Sequence, residues 1–338
     1  MRLALRYDMR APAFGAPAAD LYAASIEQAA WADRLGFETV YLAEHHGADD
    51  GYSPAPMIQA AAMMGVSGQL RVHFSALLVP LHDPIRLAED LAILDLVSGG
   101  RVEITAGLGY RPHEYRMFGV DKRRRVAVFE ETLRILQLAW AGEPFEYRGE
   151  TVVVRPRPVQ QPRPPIYIGG SAPASALRAA RFGDGYLPAM PGLWELYAAE
   201  CERLGRPVGP LPPARPSPLF LHVSEDPERD WQTVAPHVLY TARSNAEWAK
   251  ERGVGATPYP AATSVAELAA HPRFQVLTPD ECVDYLLDFG PTDEVQLQPL
   301  MGGLPPEIGW ASLQLFEHKV LPRLDDAGRR ADASRDGH

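Results

Sequence analysis

The chain has 338 residues, 46% of them hydrophobic, which is enough to bury a sizeable core and ordinary for a decorated α/β barrel. A formal charge of −10 at pH 7 argues against a nucleic-acid partner, since neutralising phosphates takes clustered Lys and Arg. The one basic run, Lys122 to Arg125, is short and opens a helix, so it reads as a solvated face.

The amino terminus, MRLALRYDMR, starts directly with a strand-like alternation and has no apolar signal core. No later run approaches the ~18 apolar residues of a membrane span, so a cytoplasmic protein without a membrane partner is expected. Short apolar or β-branched runs then alternate with helical periodicities, the pattern of βα units around a parallel sheet. Eight strands are predicted: Arg2 to Tyr7, Phe37 to Ala43, Arg71 to Pro80, Arg101 to Ala106, Ile166 to Ile168, Gly185 to Leu187, Pro218 to Val223 and Glu294 to Gln298. Between them, helical stripes are read at Tyr22, Ile26, Ala29 and Ala30, at Leu87, Leu91 and Leu94, and at Phe129, Leu133, Leu136 and Trp140.

Eight such strands favour an α/β fold closed as a (β/α)8 TIM barrel over an open doubly wound sheet, and no GxGxxG follows the first strand to support a dinucleotide site. Residues 1–325 are expected to form one barrel domain with insertions at about 143–165 and 243–279, and 326–338 to be a flexible tail. The first insertion reads as a hairpin followed by the Pro-rich connector RPRPVQQPRPP. The second, from Arg243 to Pro279, is too long for an ordinary loop and is expected to be either a mobile lid over the barrel mouth or a small helical insertion.

Strand parity places Arg2, Ala4 and Arg6 on one face, and likewise Arg71, His73 and Ser75, Glu103 and Thr105, and Glu294, Gln296 and Gln298. Polar side chains are poor partners for packed helices, so a barrel interior with paired charges is expected, with Arg6, His73 and Glu103 as the network. The other reading is that one or two strands are mis-registered and these groups sit near strand ends in water. Cys201 and Cys282 lie far apart without metal or redox spacing, and read as buried or helix-surface thiols.

Three segments carry chemistry. Glu44-His45-His46 follows the second strand and enters a Gly/Asp/Ser/Pro-rich loop, the place where α/β enzymes present ionisable groups to ligands. The pair does not read as a metal site, because adjacent histidines on a strand point to opposite faces and no third ligand spacing appears. Gly169-Gly170-Ser171 ends the fifth predicted strand just before a helix, where backbone amides and a hydroxyl can cradle phosphate; a plain tight turn is the alternative. Gly107 to Arg111 ends the fourth strand and is a second candidate cofactor loop.

Four stretches in order, LGFETVYLAEHH, AAAMMGVSGQLRVHFSALLVPLHDPIRLAEDLAILDLVSGGRVEITAGLGYRPHEYRMFGVD, PPIYIGGSAPASALRAARFGDGY and TPDECVDYLL, resemble the bacterial luciferase-like flavin-dependent monooxygenase family. The resemblance implies a luciferase-like TIM barrel that holds reduced flavin at the carboxyl ends of its strands. The flavin is usually FMN from a separate flavin reductase, and in a large branch the deazaflavin F420. The family's catalytic histidine maps onto His45, with His46 beside it and Glu44 as orienting partner. A histidine there suits the proton traffic needed when O2 adds to the flavin and a C4a-(hydro)peroxyflavin forms.

The resemblance also implies a non-prolyl cis peptide in a β-bulge at Ser75-Ala76 beneath the flavin ring, and the flavin phosphate at Gly169, Gly170 and Ser171, with Arg178 as a further cation unless it is solvent-exposed. The cofactor set it implies is therefore Ser75, Ala76, Gly109, Tyr110, Arg111, Gly169, Gly170 and Ser171. Two positions depart from luciferase proper: Leu108 stands where an arginine is expected and Gly170 where an acidic residue is. Arg111 could replace the lost cation, and Tyr110 could stack on the ring.

Three functions follow: a monooxygenase using reduced FMN and O2 on a small organic substrate, an F420-dependent hydride-transferring oxidoreductase, or a non-catalytic flavin-binding or subunit-stabilising protein. Relatives usually pair through the helices flanking the second and third strands. The Ala- and Met-rich stretch Pro54 to Gly65 suits such an interface, so a homodimer is expected. Phe14, Tyr52, Tyr110, Trp194 and Trp310 either line the substrate pocket or fill core space.

Overall fold

The structure, a computed structural model, describes residues 1–190, 192–252, 259 and 264–324. In chain order the elements are β1 (Arg2–Tyr7), α1 (Ala18–Arg34), β2 (Thr39–Leu42), α2 (Pro56–Gly65), β3 (Arg71–Leu77), α3 (Pro84–Ser98), β4 (Val102–Ala106), α4 (Pro112–Met117) and α5 (Arg125–Ala141). The chain continues through β5 (Phe145–Tyr147), β6 (Glu150–Val152), β7 (Ile166–Gly170), α6 (Pro173–Phe182), β8 (Gly185–Pro188), α7 (Leu193–Leu204), β9 (Phe220–Val223) and α8 (Pro227–Arg252). It ends with α9 (Val265–Ala269), β10 (Phe274–Leu277), α10 (Pro279–Leu287), β11 (Glu294–Leu297) and α11 (Pro306–Leu315). This is the α/β fold of a luciferase-like TIM barrel with insertions, and each of the eight predicted strands has its counterpart.

The chain packs as two compact units, one of Met1–Glu38, Pro213–Ala246 and residues from Tyr259 on, the other of Thr39–Pro212 and Glu247–Pro258. In the first, β1 pairs in parallel with β11, from Arg2 opposite Glu294 to Leu5 opposite Leu297, and Arg2 reaches Glu294 at 3.8 Å. Its core includes Phe220, Val234, Val238, Leu268, Phe274 and Leu304. The stripe expected on α1 is largely out of phase: Ala29 is buried as read, but Tyr22, Ile26 and Ala30 are only partly buried, whereas Leu21, Ala24, Gln28 and Ala32 are inside. The reason is Gln28, a polar residue on the buried face because its Oε1 accepts from the Tyr7 hydroxyl at 2.8 Å.

The stretch Arg243 to Pro279 is more regular than expected. Its start completes α8, and Val265–Ala269 is helical. Phe274–Leu277 is a strand parallel to β9 from Phe274 opposite Phe220 to Leu277 opposite Val223. A four-residue strand between Pro272-Arg273 and Thr278-Pro279 carries too short a pattern to be read alone. The lid expectation falls on 253–258 and 260–263, and the flexible-tail expectation on 326–338; both lie outside the described residues.

In the second unit, β2, β3, β4, β7 and β8 run parallel in that spatial order, so their carboxyl ends share one rim. One face of this sheet is apolar: Val40, Leu42, Val72, Phe74, Val102, Ile104, Ile166 and Ile168 are at most 1% exposed. The stripes expected on α3 and α5 are buried as read, and Trp140 Nε1 donates to Ala88 O at 3.0 Å, tying α5 to α3. The opposite face is polar, as parity predicts. Tyr41, His73 and Glu103 lie side by side in register. His73 Nδ1 is 3.4 Å from Glu103, its Nε2 is 2.7 Å from Thr105 Oγ1, and its ring packs between those of Tyr41 and Tyr167. The cation paired with Glu103 is Arg71, at 2.8 Å; Arg6 belongs to the other unit. The 143–165 hairpin is present as β5 and β6, antiparallel with Phe145 opposite Val152.

Candidate active site

The rim at the carboxyl end of β2 carries two adjoining polar clusters. Glu44 is 1% exposed and accepts from Leu78 N–H at 2.6 Å, His82 Nε2 at 2.7 Å and His46 Nε2 at 3.1 Å. Burial pushes its carboxyl up, but these bonds outweigh burial and hold it at about 2. Burial draws the His82 imidazole down, and pairing with Glu44 more than reverses this, leaving it raised. The cluster ties the end of β2 to the segment after β3; within β3, the expected cis peptide between Ser75 and Ala76 coincides with a register shift between Ser75 and Leu77.

The second cluster is built around His45. The expected orienting partner, Glu44, does not contact it; Glu114 does, its Oε1 2.7 Å from His45 Nδ1 and 3.1 Å from His46 N–H. Glu44 is turned instead to His46, His82 and Leu78, because successive side chains leaving a strand point to opposite sides. Glu114 is fully buried in the first turn of α4, and its Oε2 has no hydrogen-bond partner among the described residues. Three rings pack edge-on against His45: Tyr52 and Trp248 at 4.8 Å and Tyr110 at 5.6 Å. Nδ1 is engaged by Glu114, and Nε2 has no hydrogen-bond partner among the described residues. Arg111 stacks over Trp248 at 4.1 Å, donates to His46 O at 3.4 Å and lies 3.8 Å from Glu114. Its charge therefore balances a buried carboxylate beside His45.

Gly47 lets the chain turn back over α4. It has φ +60, and a Cβ there would stand 2.6 Å from both His113 Nε2 and Met117 Sδ. Gly109 lies between Tyr115 and the Leu78 side chain, and Tyr115 OH donates to Leu108 O. Ala76 faces Gly107, where a Cβ would come within 2.9 Å of its own, so both positions must be small.

At the end of β7, Gly169, Gly170 and Ser171 are half-buried, and α6 begins at Pro173 with no side-chain cap. A Cβ on Gly170 would fall 2.3 Å from Ser175 Cβ, so only glycine lets strand and helix approach this closely. Arg178 is neither exposed nor turned to this loop; its Nε donates to Glu130 at 3.1 Å. Trp194 donates to Pro210 O, and Phe14 and Trp310 belong to the other unit. Cys201 and Cys282 are buried, and burial pushes the Cys282 thiol up to about 12. Among the described residues no helix is long and apolar enough to cross a membrane, and no group of three His, Cys, Asp or Glu side chains could hold a metal.

Glu114, Trp248 and His82 were not singled out from sequence. Glu114 and Trp248 lie far from His45 along the chain, and the one local hint is an acidic residue amid the apolar positions of Tyr110 to Phe118.

The profile of the luciferase-like monooxygenase family matches residues 8–295. The chain is 29% identical over 162 residues to the oxygenase component of a flavin-dependent trigonelline monooxygenase from Acinetobacter baylyi, covering 46% of this chain and 45% of that protein. The chain spans about half the length of the curated relatives it matches. Among solved structures it is similar to the monooxygenase RslO1 from Streptomyces bottropensis, with TM-score 0.70, 27% identity and coverage of 96% and 99% of the two chains. It also shares the fold of the oxygenating constituent of 3,6-diketocamphane monooxygenase from Pseudomonas putida, solved in complex with FMN, with TM-score 0.70, 19% identity and coverage of 96% and 99%. The chain belongs to the luciferase-like monooxygenase family.

Proposed function

We propose that the chain is a flavin-dependent monooxygenase that uses reduced FMN and O2 on a small organic substrate, with His45 as its proton-transferring group. The observation that carries this reading is the His45–Glu114 pair among three aromatic rings, with Nε2 left without a hydrogen-bond partner among the described residues. With Glu114 accepting at Nδ1, the ring keeps one tautomer and offers Nε2 to a ligand. Tyr52, Tyr110 and Trp248 keep water from the imidazole, and Arg111 offsets the charge of Glu114.

The residues of the rim fit a flavin. Glycines at 107, 169 and 170, whose missing Cβ positions the protein's own atoms crowd, and the small pair Ser75-Ala76 keep bulky side chains off the strand ends. The amides of Gly170 and Ser171, the Ser171 hydroxyl and the uncapped start of α6 suit a phosphate. Bound reduced flavin supplies the electrons that activate O2; the protein supplies binding, orientation and, at His45 Nε2, a lone pair that takes up a proton and passes it on. A separate reductase would supply reduced FMN, as expected for an oxygenase component. The relative named above, itself an oxygenase component, supports this.

A homodimer is part of the proposal. Ile58 (75% exposed) and Val66 on α2 and its end, with Ile93 and Val97 on α3, form an apolar surface larger than scattered single residues would. An F420-dependent hydride transfer is the second reading. It is favoured by Leu108, which brings no cation to the β4 loop, and by an Arg111 already engaged with Glu114 and Trp248. Anaerobic titration with reduced FMN and with reduced F420 separates the two: micromolar FMN binding is expected, and exclusive F420 binding without O2 uptake would overturn the first.

A further inference from the structure

The Pro-rich connector between β6 and β7 takes no part in the site at the carboxyl rim, yet it is held rigidly. Gln160 donates from its backbone N–H to Asp95 Oδ2 at 2.9 Å, and from Nε2 to Asp95 Oδ1 at 2.7 Å and Val102 O at 2.8 Å. Asp95 is fully buried, so the connector is clamped to α3 and β4. Thus fixed, it presents Arg157, Gln161 and Arg163 to a cleft of about 530 Å³ that Gln137, Arg181 and Arg206 complete. The cleft lies beside the amino ends of β7 and β8, away from the rim that carries His45 and Gly169.

Three of its guanidiniums are preorganised. Arg157 Nε donates to Trp140 O at 3.2 Å, its stem crossing the end of α5 over Gly142, where a Cβ would fall 2.5 Å from Arg157 Cδ. Arg206 NH2 donates to Gly183 O at 3.2 Å and its NH1 to Ala180 O at 3.0 Å. Arg163 forms a two-pronged pair with Asp184, 2.5 and 2.9 Å. The Arg181 carbonyl accepts from Arg206 NH1, but its guanidinium makes no hydrogen bond or ion pair among the described residues. Glu200, whose charge it influences, is itself paired with Arg203.

Among the described residues no carboxylate lines the cleft, and Asp184 answers one of its four arginines. In a chain of formal charge −10 this is a local excess of about three positive charges, from side chains that cannot shed them. The anchors use only part of each guanidinium. Planar forks with N–H groups to spare, beside two carboxamides, match a phosphoryl group, and the volume is that of a small-molecule site.

We propose that this cleft binds a phosphorylated small molecule, at a site separate from the one at the carboxyl rim. The probe is inorganic pyrophosphate, titrated into the full chain at constant ionic strength and followed by 31P line width and by melting temperature. The wild type should bind it, and Arg157→Ser/Arg181→Ser should lower the affinity at least tenfold with reduced-FMN affinity unchanged. Arg181 is exposed and its guanidinium unbonded, so Arg181→Glu, which keeps the helix-end anchors, decides the matter if the double variant fails to fold; it too should lose at least tenfold. Unchanged affinity in Arg181→Glu, an equal effect of sodium chloride at matched ionic strength, or loss of binding on Ser171→Ala in place of the arginine changes would overturn the proposal.

Discussion

In the proposed function, His45 and Glu114, 2.7 Å apart, divide one task between them. The imidazole offers Nε2, and the buried carboxylate decides which nitrogen that is. Glu114→Gln keeps an acceptor near Nδ1 but removes the charge that stabilises a protonated ring. Turnover should fall by about 10- to 100-fold, the usual effect of an orienting group, and the pH profile of turnover should shift while the affinity for reduced FMN stays within a few-fold. An unchanged pH profile would make Glu114 a packing residue only. Glu44 has a different role. Its folded pKa, about 2, lies below the ordinary 4.5, so its contribution to stability is present above about pH 4.5 and is lost as pH falls toward 2. The shift corresponds to about 3 kcal/mol at neutral pH, an order-of-magnitude figure. In urea titrations across this range, the stability gap between wild type and Glu44→Gln should narrow as pH falls from 4.5 to 2. A gap independent of pH across this range would mean that folding does not hold the Glu44 carboxyl below its ordinary value.

Eight strands were placed from their apolar runs, with ends off by up to three residues, because β-branched and aromatic residues between turn signals leave few alternatives; the short strand Phe274–Leu277 was not. Parity added the polar face of β3 and β4, down to the meeting of His73 with Glu103. Phase on α1 was misread because the buried Gln28 looks like a surface residue until Tyr7 is brought beside it. Glu114 was illegible for the same reason: its partner lies 69 residues earlier, and no local pattern reports a contact that only the fold creates. Glycine 47 marks where β2 leads into the site. Gly47→Ala should cost about 1–3 kcal/mol in urea unfolding, because φ is +60 and His113 and Met117 occupy the space. A neutral effect would show that α4 can shift freely. On α2 and α3, Ile58→Glu together with Val97→Glu should convert a dimer to a monomer in sedimentation velocity; a wild type that sediments as a monomer would remove the interface.

Across the whole molecule, the resemblance supplied what periodicity could not: the cofactor class, the cis peptide at Ser75-Ala76 and the choice of His45 over His46. The family profile and the shared fold support the cofactor class. The proposed activity rests on the chemistry of the rim, where one imidazole nitrogen has no hydrogen-bond partner among the described residues, beside glycine-rich strand ends. The most direct test binds reduced FMN to the wild type and to His45→Ala without oxygen, then mixes each with aerated buffer while flavin absorbance and O2 consumption are followed. Both proteins should bind reduced FMN alike. The wild type should pass through a transient absorbance belonging to neither reduced nor oxidised flavin, and the variant should turn over substrate about 10²- to 10⁴-fold more slowly. Failure of the wild type to bind reduced FMN, or His45→Ala turning over as the wild type does, would contradict the account.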